Sequence, residues 1–155
     1  MQSIHNPPFI WLISGCSSGF VGELTLKTLS MGDFVGVSSR KIEDVEDICN
    51  QYPETSVAIT LDVTKKQDIN QSIETITKTF GGLDVLVNNA GYGYLADIEE
   101  GEDEEVRRLF EATFVGAVEI TKDAWRGMRS QKFGRIIKNS SQAGNRANQG
   151  TGNER

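Results

Sequence analysis

Phe9-Ile-Trp-Leu-Ile13, followed at once by Ser14-Gly15-Cys16-Ser17-Ser18-Gly19-Phe20-Val21-Gly22, is the stretch on which the fold turns. An apolar run of this length, bounded by turn residues, reads as a buried strand. The glycines behind it mark a tight turn, and from Val21 to Leu29 apolar residues recur at helical spacing, ending near Gly32. A glycine between strand and helix lets the backbone double back and lets an anion come close. The helix start then offers unpaired N–H groups and the positive end of its dipole. The turn is therefore a candidate phosphate cradle. Glycine in such a loop also serves geometry alone, and these residues by themselves leave both readings open.

Working outward, the same alternation repeats. Phe34–Val37 reads as a second strand, Val57–Leu61 as a third, Leu83–Val87 as a fourth and Gly134–Lys138 as a fifth. Between them, Ile42–Cys49 predicts a helix with Val45, Ile48 and Cys49 turned inward. Ile69, Ile73, Ile76 and Phe80 mark the best-patterned helix of the chain, and Val106–Met128 predicts a long helix or two. Strands alternating with amphipathic helices signal a parallel α/β sheet. The acidic run Glu99–Glu105 reads as a solvated loop and helix start. Beyond Ser141 the chain is polar: residues 1–143 predict one domain, and 144–155 a mobile tail.

The 155 residues suit one domain, and 37% apolar with 25% charged residues suits a folded chain. Sixteen Lys and Arg against 22 Asp and Glu leave a net charge of −6, which argues against nucleic acid as a partner. Phe9–Ile13 is too short for a membrane span or a signal segment, so no membrane is expected and a cytoplasmic setting is. Cys16 and Cys49, without a CxxC motif, argue against a disulfide framework or a metal site. Asn70-Gln-Ser72 and Asn139-Ser-Ser141 match the glycosylation sequon but, with no secretory signal, read as chance.

Three motifs fall in order: Ser14-Gly-Cys-Ser-Ser-Gly19 after the first strand, Asp62-Val63 after the third, and Asn88-Asn-Ala-Gly91 after the fourth. Together they give a chain that resembles the short-chain dehydrogenase/reductase family of NAD(P)-dependent enzymes. The resemblance implies an α/β, Rossmann-like doubly wound parallel sheet of about five strands, incomplete at its C-terminal side. It further implies that Ile13, Gly15, Ser17, Ser18 and Gly19 wrap the cofactor diphosphate and adenosine ribose. Asp62 would accept from the adenine amino group with Val63 against the ring, and Asn89, Ala90 and Gly91 would border the cofactor ribose. Lys122 stands where relatives often carry a basic residue beside the site. Beyond the second strand, an acidic residue would bind a ribose 2′-hydroxyl and repel a 2′-phosphate. The chain has Ser38-Ser39-Arg40-Lys41 there: small Ser39 leaves room and Arg40 brings a planar cationic fork, so NADP is expected over NAD. Val21 departs from the pattern, which places a third glycine there; a β-branched residue at that point is expected to shift the helix and weaken the cofactor's hold.

The family's chemistry is hydride transfer between NADP(H) and a small-molecule carbonyl or alcohol, with a tyrosine as general acid/base beside a lysine. Gly134–Ser141 resembles the strand that delivers the catalytic serine, and Ser141 is the match. Relatives carry the tyrosine about thirteen residues later, where this chain has Glu154, and the lysine would fall past Arg155. Thr113 occupies the place of the family's relay asparagine. The expectation is an NADP-dependent oxidoreductase by lineage, impaired or inactive as the chain stands, because it stops before a Tyr-x-x-x-Lys motif. The alternative is a non-catalytic dinucleotide-binding pseudoenzyme or a truncated remnant. The Gly134–Lys138 strand, lacking a covering helix, predicts self-association through its open edge.

Overall fold

A computed structural model describes residues 8–17, 19–97 and 99–140. Its strands are β1 (Ile10–Ile13), β2 (Phe34–Ser39), β3 (Ser56–Thr60), β4 (Val85–Asn88) and β5 (Arg135–Lys138). The helices are α1 (Gly19–Ser30), α2 (Glu46–Gln51), α3 (Lys66–Phe80), α4 (Asp103–Phe110) and α5 (Gly116–Gln131). The strands form one parallel sheet in the order β3-β2-β1-β4-β5. This is the doubly wound α/β architecture implied above.

Successive strand residues point to opposite faces, and the core divides accordingly. Leu12, Leu86 and Ile59 face Ile69 and Ile76 of α3 and Ile120, Ala124 and Met128 of α5. Their neighbours Ile13, Val35, Val37, Val85 and Val87 face Val21 and Leu29 of α1 and Val45. Gly36 in β2 makes the first face possible: a Cβ there would lie 2.9 Å from both Ile59 and Ile76.

Strand bounds follow the apolar runs within a residue or two, which is ordinary fraying. Two features differ in kind from the sequence reading, and a third, the exposure of β5, agrees with it. The helix expected over Ile42–Cys49 is a 3₁₀ turn, Ile42–Asp44, followed by α2, with the break at Val45, whose side chain is fully buried. The Val106–Met128 region is α4 and α5 joined through a π-helical turn, Glu111–Val115. All four residues of β5 are exposed, including Ile136 and Ile137. The division at residue 143 and the tail 144–155 lie outside the described residues.

Candidate functional site

Parallel strands end at one edge of the sheet, and β1, flanked by β2 and β4, marks the point where the chain's winding changes direction. A crevice at such a point is where doubly wound folds hold ligands. Here it is a cleft of about 810 Å³. Gly15 and Ser17 line it from the glycine turn, Ser39 and Arg40 from beyond β2, Leu61–Thr64 from beyond β3, and Asn89–Tyr92 from beyond β4. The far wall is the α4 side, with Arg107, Arg108, Glu111 and Ala112.

The turn is built by hydrogen bonds between β1 and β4. Buried Ser14 donates its hydroxyl to the Val87 carbonyl at 3.2 Å and accepts from the N–H groups of Asn89 and Ala90, each at 2.9 Å. Asn89 Nδ2 donates back to the carbonyls of Ser14 (3.2 Å) and Gly15 (3.4 Å). Gly15 has φ +76°, a left-handed conformation that a side chain would strain, and a Cβ on it would meet the Ala90 backbone at 3.4 Å. Cys16 N–H donates to the Ser38 carbonyl at 2.8 Å, and burial pushes the Cys16 thiol up to about 11, so it is no nucleophile at neutral pH.

Beyond β2, Ser39 Oγ donates to the Asp44 carboxylate at 3.0 Å, while exposed Arg40 makes no ion pair or hydrogen bond among the described residues. Beyond β3, Asp62 Oδ1 accepts from the Thr64 N–H (3.0 Å) and hydroxyl (2.7 Å), with Lys65 Nζ 3.6 Å from Oδ2. Partial burial raises the Asp62 carboxyl, but the Thr64 donors and the Lys65 charge outweigh it and hold the group below its ordinary value. Val63 is buried beneath, and the start of α5 is seated on it: a Cβ on Gly116 would lie 2.7 Å from the Val63 carbonyl oxygen.

Several expected site residues stand elsewhere. Ile13 is fully buried in β1, its carbonyl taken by the Ser38 hydroxyl at 2.7 Å. Gly19 opens α1 without lining the cleft. Lys122 lies on α5, off the cleft, with Nζ 2.6 Å from the Glu119 carboxylate. Ser18 and Ser141 lie outside the described residues. Val21 points into the core, while a Cβ on Gly22 would stand 3.5 Å from the Cys16 carbonyl. Helix and turn are thus compatible with valine at 21. Thr113 lies in the π-helical turn and donates its hydroxyl to the Leu109 carbonyl at 2.6 Å. Its methyl fills the space beside Gly91, and its carbonyl accepts from Lys138 Nζ at 2.7 Å.

The sequence reading assigned nothing to Arg107 or Asp44. For Asp44 the signal was spacing: an acid five residues after Ser39, across a turn. Arg107 carried none, since exposed helical arginines are ordinary.

Residues 10–153 match the short chain dehydrogenase family. The chain belongs to that family. Oxidoreductase BOA17 of Botryotinia fuckeliana is 32% identical over 136 residues, covering 87% of this chain and 50% of that protein. A short-chain dehydrogenase structure from Streptomyces avermitilis superposes with a TM-score of 0.90 at 32% identity, over 96% of this chain and 55% of that one. The structure of ElxO with NADP bound superposes at 0.86 and 28% identity, over 94% and 60%. The chain spans about half the length of the curated relatives it matches. Among the described residues, no helix is long and apolar enough to cross a membrane.

Proposed function

We propose that the cleft binds the adenosine end of a nicotinamide dinucleotide, NADP(H) in preference to NAD(H). In this reading the chain is the cofactor-binding part of an oxidoreductase acting on a small carbonyl or alcohol. Arg40 carries the proposal: a guanidinium without a counter-ion among the described residues stands beyond β2, beside a small serine. A 2′-phosphate is the anion a planar fork at that place fits. The residues present suit the rest of the group. Gly15 leaves room for a diphosphate against the backbone, and Asp62, held ionised, is an acceptor for the adenine amino group. Val63 offers a flat apolar floor, and Asn89–Gly91 border the ribose. The bound dinucleotide would supply the hydride; Ser141 is our candidate for holding the substrate oxygen. ElxO, a structural relative, carries NADP.

The test is fluorescence titration with NADPH and NADH, followed by NADPH oxidation against a panel of aldehydes and ketones. Tighter NADPH than NADH is expected. Equal affinities, the reverse order or no binding would defeat the cofactor assignment. Binding without turnover is the second reading, and one observation favours it: the Thr113 hydroxyl is spent on the helix backbone and is not free to relay a proton. Turnover of any panel member would refute that second reading. We also propose that Ile136 and Ile137, exposed on β5, make this strand a self-association edge. A compact monomer in size exclusion at high concentration would count against it.

A further inference from the structure

The tripeptide Asn139-Ser-Ser141, a chance sequon by its sequence, contains an amide with a specific partner. Asn139 lies just past β5, and its N–H donates to the Asn88 carbonyl at 2.9 Å, continuing the β4–β5 pairing by one residue. Its side-chain Nδ2 donates to Asn89 Oδ1 at 2.7 Å. The same Asn89 reaches the glycine turn through its other end, donating from Nδ2 to the Ser14 and Gly15 carbonyls at 3.2 and 3.4 Å. Two amides in series thus run from the end of β5 to the turn.

The order of donors and acceptors in that series matters. A primary amide has a donor end and an acceptor end of nearly the same shape, so only its partners decide which way it faces. Facing the two turn carbonyls with nitrogen, Asn89 makes two attractive contacts. Facing them with oxygen, it would make two repulsive ones. A donor at Asn139 selects the first arrangement by engaging Asn89 Oδ1.

The turn carbonyls in turn set the direction of the N–H groups. Among the described residues no peptide bond is cis, so each N–H points opposite to the carbonyl of its own peptide unit. In the Gly15–Cys16 unit both ends are held, the carbonyl by Asn89 and the N–H by the Ser38 carbonyl at 2.8 Å. In the Ser14–Gly15 unit the carbonyl is held by Asn89, which fixes the plane of that peptide and so the direction of the Gly15 N–H, on a residue that lines the cleft. An N–H held in direction at a cleft wall is what an anionic ligand requires.

We propose that Asn139 is a positioning residue for the glycine turn: by donating to Asn89 it fixes that side chain's orientation and so the direction of the Gly15 N–H at the cleft wall. The effect on ligand affinity rests on the dinucleotide reading given above; the effect on the turn itself does not. The residue also joins the strand end that leads to Ser141 with the turn on β1.

Asn139→Asp and Asn139→Ala separate this role from simple packing. The carboxylate has no donor, so it turns Asn89 around and sets its oxygen against the turn carbonyls, whereas alanine only removes one bond. Measured by NADPH fluorescence at pH 8, Kd should rise about threefold for Asn139→Ala and about tenfold or more for Asn139→Asp. Hydrogen exchange by NMR in the ligand-free variants gives the second measurement: Asn139→Asp should speed exchange of the Asn89 side-chain amide and of the Cys16 N–H, with β3 amides unchanged. Unaltered exchange in Asn139→Asp overturns the proposal, as does a Kd no weaker than that of Asn139→Ala. Altered exchange in a protein that binds neither NADPH nor NADH upholds the positioning role and removes the dinucleotide reading.

Discussion

β2 and β5 are short strands with apolar centres, each paired in parallel to a more central neighbour, yet their surroundings are opposite. β2 hydrogen-bonds on both edges, and five of its six residues are buried. β5 pairs with β4 alone among the described residues, and all four of its residues are exposed. Val35 and Val37 are covered on one face by α1 and Val45, while Gly36 on the other admits the side chain of Ile76 from α3. Among the described residues, Ile136 and Ile137 have no such cover. β5 is held mainly by contacts at its ends: Arg135 lies over the rings of Phe9 and Phe133, Lys138 holds the Thr113 carbonyl, and Asn139 holds Asn89. Apolar letters thus do different work on two strands of one sheet. In β2 they anchor a rigid strand whose end presents Ser39 and Arg40; in β5 they leave a surface.

The contrast breaks most readily in the core. Ile76→Ala should cost about 2–5 kcal/mol in urea denaturation, because it empties a fully buried site against β2. Ile137→Ala, at a residue 43% exposed, should cost less than about 1 kcal/mol. Comparable losses would mean β5 is as well covered as β2. Next in size, Arg40→Ala should weaken NADPH binding roughly ten- to hundredfold, the worth of a charge-assisted contact, and leave NADH within a factor of two. A similar loss for both cofactors would detach the end of β2 from the 2′-phosphate. Gly36→Ala should lower stability by about 1–3 kcal/mol, since the new methyl meets Ile59 and Ile76 at 2.9 Å in a closed core. A neutral or raised Tm would show slack there.

The smallest effect is electrostatic. Asp62 is held below its ordinary value of 3.8, so its contribution to stability is complete above that pH and fades as pH falls through the lower folded value. The carboxylate is half-buried but its Lys65 partner is exposed, which keeps the contribution below about 1 kcal/mol. The stability difference between the native chain and Asp62→Asn should therefore be constant from pH 5 to 7 and shrink below pH 3.8. A difference unchanged at pH 3 would remove the Thr64 and Lys65 contacts from the account.

The legible parts of the sequence were those where local pattern and tertiary demand agree. The run Phe9–Ile13 and the glycines behind it specify strand and turn on their own, and the Ile69–Phe80 spacing specifies α3. The cleft's floor was readable from Asp62-Val63 and Asn89–Gly91 through the family resemblance they carry, and the structure puts both segments beyond strand ends on one edge. Two features were not, and a third, the open face of β5, was expected from the family resemblance alone. The break at Val45 trades helical continuity for a buried side chain, which depends on what lies beneath it. The π-helical turn at Glu111–Val115 lies between two helices with separate anchors, Leu109 in the core and Gly116 on Val63, and no residue type within it announces the mismatch. The exposure of β5 depends on which elements cover it, not on the letters Ile136 and Ile137. At the site, the amide series through Asn139 is a partnership across strands, invisible to spacing, whereas Asp44 lies within a turn's reach of Ser39.

The central place of β1 also orders events in time. Its β2 partner follows within some twenty-five residues, but Ile10 meets Asp84 only across a separation of 74. At synthesis rates of roughly 5–20 residues per second, the second edge of β1 stays open for about 4–15 seconds after the strand is made. During that interval Trp11, Leu12 and Ile13 sit on an unpaired edge, open to pairing with other chains. Ribosome speed and chaperone access over the β2–α3 stretch are thus expected to govern its yield more than the final stability of the sheet.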